Sequence, residues 1–84
     1  MNGGKVEMKL LTKEEAEECL AEAQLMVVEY RDSNYRFGQS LFNCLPVDLY
    51  HHFTGTEHDF FYWKDDDKVI ETFYEFYVEK NDAN

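Results

Sequence analysis

A chain of 84 residues that is 44% apolar, with seven phenylalanines, six tyrosines and a tryptophan, is a single domain able to form a core and lies outside the disordered class. Its 18 acids and 8 bases leave a formal charge of -10, which argues against direct binding to DNA, RNA or an anionic membrane and favours a partner with a basic face. There is no run of about eighteen apolar residues and no basic segment leading into an apolar one, so no membrane span or secretory signal is visible and a cytoplasmic location is expected.

At the N-terminus, Val6, Met8 and Leu10 alternate with Glu7 and Lys9, which allows a short strand within a segment, 1–10, otherwise expected to be flexible. Gly-Gly-Lys-Val-Glu can be encoded by a purine-rich run resembling a ribosome-binding site just ahead of Met8. Initiation at Met8 is therefore a hypothesis, tested by the intact mass of protein expressed from its own upstream DNA.

The stretch LTKEEAEECLAEAQLMVVEY predicts a helix, because Thr12 and Glu15 form a capping box and Leu11 and Ala16 are spaced for a hydrophobic staple. Ala16, Cys19, Leu20, Ala23, Met26, Val27 and Tyr30 recur at three and four residue intervals as one apolar stripe. Glu14, Glu15, Glu17, Glu18, Glu22 and Glu29 occupy the other faces. The early glutamates suit the positive helix N-terminus, whereas Glu14, Glu18 and Glu22 repel one another at i,i+4 by a few tenths of a kcal/mol each.

In RDSN, Asp32, Ser33 or Asn34 can cap a second, short helix in which Phe37, Leu41 and Leu45 stack with Phe42 beside them. Pro46 fits the first turn of a third helix, PVDLYHHF, closed by Gly55. Thr56 to Asp59 suit a turn, and the aromatic run 60–63 fits either a helical turn or a short extended piece. After the cap signal KDDDK, VIETFYEFYV reads as helix: a strand would put Phe73 on the face of Glu71 and Glu75, while Val69, Phe73 and Phe76 with Ile70 and Tyr77 make a helical face. Residues 79–84 are expected to fray. The expected fold is therefore mainly α, a compact bundle of about four short helices in one domain. Cys19 and Cys44 lack metal or redox spacing and read as two reduced thiols in apolar helical patterns.

RFGQSLFNCL, then GTEHDFFY, an acidic loop and VIETF together resemble a group of small bacterial and phage proteins. Their pattern is an arginine, an apolar residue and Gly-Gln, then Asn-x-Leu, then Gly-Thr-x-x-Asp-x-Phe-Tyr and an apolar helix. The resemblance spans residues 35–78 and implies no activity, because the group has none to transfer. Phe60 stands where that pattern has a proline.

Two side-chain sets stand out. Arg36, Gln39, Asn43 and Asp59 are expected to form a polar network that fixes the second helix against the turn after the third, with Gly38 admitting another backbone; the alternative is an exposed recognition patch beside Tyr35 and Tyr62. Glu14, Glu18 and Glu22 form an acidic row that Asp65, Asp66 and Asp67 can extend, with Tyr62 and Trp63 as contact anchors and Tyr74 and Tyr77 as further partly exposed rings. His51, His52, His58, Glu57 and Asp59 offer metal-ligand types, but adjacent histidines diverge by about 100° on a helix, and no metal site or other cofactor is expected. No phosphate-binding loop or nucleophile signature is present, so a non-enzymatic role is expected. The leading expectation is an interaction module of the phage-inhibitor type that covers a basic, nucleic-acid-binding protein surface; the alternative is a domain that self-associates through its aromatic surface.

Overall fold

The computed structural model describes residues 9–30 and 35–80. The chain is mainly helical, with α1 at Lys13–Glu29, α2 at Phe37–Asn43, α3 at Val47–Phe53 and α4 at Asp66–Thr72, the last running into a π-helical turn at Phe73–Tyr77. Initiation at Met8, most of the strand expected over 6–10, and the capping candidates Asp32, Ser33 and Asn34 fall outside the described residues.

The α1 helix starts where its capping box dictates. The Thr12 hydroxyl accepts from the Glu15 amide at 3.1 Å, and the Glu15 carboxylate accepts from the Thr12 amide at 3.0 Å. Buried Leu11 and Ala16 flank this cap. Small residues at Ala16 and Ala23, both 0% exposed, let α1 lie close against α2, and the buried Ser40 hydroxyl donates to the Ala23 carbonyl at 2.9 Å. The apolar stripe is narrower than its spacing suggests: Cys19, Leu20, Met26 and Val27 are half-buried, and Tyr30 at the C-cap is exposed.

The α2 helix begins at an N-cap of Arg36 and is the centre of the core, burying Phe37, Gly38, Ser40, Leu41 and Phe42. A Cβ on Gly38 would lie 2.4 Å from the carbonyl oxygen of Phe60, so glycine at this position is what lets the aromatic turn pack against the helix. Phe42 then meets Tyr50, Phe60, Phe61 and Tyr77 at ring separations of 5.0–6.3 Å. Pro46 forms the N-cap of α3, one position before the first turn proper, and Gly55 follows the Thr54 C-cap with a φ of 81°, the left-handed geometry that ends a helix.

The aromatic run resolves into a turn with mixed exposure. Phe60 is 0% exposed, Phe61 and Trp63 are half-buried, and Tyr62 is 75% exposed. The reading of 69–78 as helix holds for α4, but the following turn widens to the π form. Phe73 and Tyr77 are thereby both buried, while Phe76 rotates outward and stacks on His58 at 3.6 Å. Tyr77, expected to be partly exposed, is fully buried because its ring stacks on Phe53 at 3.9 Å and its hydroxyl donates to the His58 carbonyl at 2.6 Å. Among the described residues, Val78 then pairs with Leu11 in an isolated parallel bridge, in which the Leu11 amide donates to the Tyr77 carbonyl and the Glu79 amide to the Leu11 carbonyl at 3.0 and 2.8 Å.

A candidate protein-interaction surface

The glutamates of α1 are set by helical period alone. Ala16 and Ala23 face the core, which leaves Glu14, Glu15, Glu17, Glu18, Glu22 and Glu29 exposed. Glu14, Glu18 and Glu22 follow one line along the helix, each about 6 Å further on. Among the described residues, the ion pairs are His58–Glu57 at 3.8 Å and Lys80–Glu75 at 3.4 Å, so no α1 glutamate is neutralised by a cation.

Glu15, Glu18 and Glu22 also wall a groove of about 300 Å³, whose remaining lining is Leu11, Cys19, Cys44, Leu45 and Pro46. Both cysteines are free and half-buried, and the Cys19 thiol donates to the Cys44 carbonyl oxygen at 3.5 Å. Burial raises the Cys19 thiol from its ordinary 9.0 to about 11, with Cys44 and the charges of Glu22, Glu15 and Glu18 adding to the shift. The Cys44 thiol is raised in the same way by burial and by Glu22.

At the start of α4, Asp65 and Asp66 line grooves other than the one walled by Glu15, Glu18 and Glu22. Asp65 is the N-cap and accepts from the Asp67 and Lys68 amides at 3.1 and 3.2 Å, while Asp66 and Asp67 sit exposed in the first turn. Asp66 borders a groove of about 290 Å³ with Gln24, Val27, Val28, Phe37 and Ile70. Gln24 points about 160° away from Glu22 around α1, so the groove that α4 borders opens on a different side of the helix from Glu22. Tyr62 and Trp63 flank a further groove, of about 460 Å³, completed by Lys64, Asp65 and Lys68.

The expected polar network does not assemble. Among the described residues no hydrogen bond or ion pair joins Arg36, Gln39, Asn43 and Asp59 to one another: Arg36 is exposed, Gln39 is half-buried, and the Asn43 amide donates to the Tyr35 hydroxyl at 3.2 Å. Asp59 is used locally, accepting from the Gly55 amide at 2.7 Å and the Phe61 amide at 3.0 Å. A carboxylate two residues before a free amide satisfies it with little ordering cost, and this outcompetes a reach across to another helix. Phe60, Phe61 and Tyr62 are thereby presented by a turn that Asp59 stitches together.

His51 and His52 are exposed on α3, and no group of three or more His, Cys, Asp or Glu side chains among the described residues is arranged to hold a metal ion. Leu25 and Val28, at 61% and 62% exposure, are the surface residues that the stripe reading missed. Both lie off the core-facing spacing, which was the available signal. No helix among the described residues is long and apolar enough to cross a membrane. No protein-family model, no curated protein and no solved structure matches the chain.

Proposed function

We propose that this chain is a non-catalytic interaction module that covers the basic surface of a nucleic-acid-binding protein, in the manner of a phage or mobile-element inhibitor of restriction or CRISPR machinery. The observation that carries this reading is the row Glu14, Glu18 and Glu22, exposed on α1 and without a cation partner among the described residues. Carboxylates spaced by about 6 Å approximate the charge spacing of a nucleic-acid strand. Such a row steers a basic partner into contact and displaces nucleic acid from its lysines and arginines, while Tyr62 and Trp63 supply apolar anchors.

The test is an affinity capture from lysate, comparing the wild type with the variant Glu14→Gln, Glu18→Gln, Glu22→Gln. The expected result is a nucleic-acid-binding protein retained by the wild type, released as salt rises and lost by the variant. Equal capture by both, with no salt dependence, would overturn the reading. A second reading, self-association, is favoured by the exposure of Leu25, Val28 and Tyr62 at 61%, 62% and 75%. It requires an oligomeric mass that stays constant from low to high salt.

A further inference from the structure

We propose that the groove between α1 and the α2–α3 corner seats an arginine side chain of the partner. This rests on the reading above that the partner presents a basic face. The floor of the groove is apolar: Leu11 and Leu45 are buried at 3% and 7% exposure, and Pro46 and the sulfur-bearing Cys19 and Cys44 complete it. Among the described residues its wall carries one sign of charge only, from Glu15, Glu18 and Glu22, and no base lines it.

Among the described residues, two other grooves lack this combination, and in a third, lined by Glu71, Thr72, Glu75 and Phe76, Glu75 is already paired with Lys80 at 3.4 Å. Beside Tyr62 and Trp63, Asp65 is mixed with Lys64 and Lys68, and among the described residues beside Val28 and Phe37 the only charged lining residue is Asp66. An occupant complementary to the α1 groove is a long side chain with an apolar stem and a cationic tip. Glu15 already accepts from the Thr12 amide, so Glu18 and Glu22, one turn apart with Cys19 between them, are the receiving carboxylates. Arginine fits them better than lysine. Its planar guanidinium donates to two acceptors at once, lies flat over the proline and sulfur atoms, and gives up water more readily than an ammonium. The Cys19 thiol is raised mainly by burial, with Cys44 and then the charges of Glu22, Glu15 and Glu18 adding to the shift.

The experiment uses two soluble peptides of equal charge, one with arginine as its only base and one with lysine. Their affinities are measured for the wild type, for Glu18→Gln/Glu22→Gln, and for Glu17→Gln/Glu29→Gln, which removes the same charge from outside the groove. In parallel, the rate of Cys19 alkylation by iodoacetamide is followed by peptide-resolved mass spectrometry with and without peptide. The proposal expects tighter binding of the arginine peptide, a loss of about tenfold or more in the groove variant against about threefold or less in the other, and slower Cys19 alkylation when the arginine peptide is bound. If the peptides bind but both variants weaken them equally and Cys19 stays as reactive as before, the groove is not the seat, although an acidic surface that binds bases survives. If neither peptide binds the wild type, the groove and the basic-partner reading fall together.

Discussion

Gly38 and Asp59 define the turn that carries the aromatic residues, one by what it lacks and the other by what it accepts. The Phe60 carbonyl oxygen would lie 2.4 Å from a Cβ at position 38, and that oxygen belongs to backbone, which cannot swing aside as the end of a flexible side chain would. Gly38→Ala is therefore expected to destabilise the fold by about 2 kcal/mol or more, read as a lower denaturation midpoint with an unchanged m-value. Helix propensity alone would favour alanine here, so a stabilised variant would show that the close approach is not rigid. The close backbone approach at Gly38 was legible in the sequence, and so was a turn around Thr56 to Asp59. The acceptor role of Asp59 was misassigned to Arg36, because sequence spacing cannot weigh a distant cation against two amides already within reach.

At the scale of elements, legibility followed how local each signal was. The capping box of α1 is complete within four residues and appears as read, whereas the boundary between α4 and the π turn is set by what the chain must do afterwards. Val78 has to reach Leu11, and Phe73 and Tyr77 both have to enter the core; an extra residue in the turn achieves this and turns Phe76 out. A strict 3.6-residue period put Phe76 inside because it carries no information about that closure. The two phenylalanines are therefore expected to separate sharply on truncation. Phe73→Ala, which empties a fully buried site, should cost about 3–5 kcal/mol. Phe76→Ala, at 39% exposure and losing mainly its stack on His58, should cost about 1 kcal/mol or less. Parallel urea titrations of the two variants check this, and equal losses would mean that the π turn does not divide their environments.

At the scale of the whole molecule, the charge was legible and its arrangement was not. The helical period puts the α1 glutamates outside whatever the tertiary structure, but only the tertiary placement of α4 decides that Asp66 borders a different groove from the one walled by Glu18 and Glu22. Burial elsewhere in the fold ties stability to pH through groups other than the carboxylates. Cys19 is raised from 9.0 to about 11 by burial and its acidic neighbours, and Tyr77 is raised above its ordinary 10.0 by burial and by the charge of Asp59. Both are acids that the fold holds in the neutral form, so above pH 9 the folded chain keeps protons that the unfolded chain releases. Their contribution is complete below the ordinary values and is lost as pH rises through the folded ones. The denaturation midpoint should therefore be insensitive to these groups from about pH 7 to 8.5 and fall progressively from about pH 9 to 11 and beyond. Cys19→Ser should flatten the first part of that decline, because a hydroxyl does not ionise there, and Tyr77→Phe should flatten the upper part while lowering stability at every pH through loss of the bond to the His58 carbonyl. A midpoint that holds steady to pH 11 in the wild type would mean that these groups reach solvent in the folded state. The seating of Tyr77 against Phe53 and the partial burial of Cys19 beside Cys44 would then have to be abandoned.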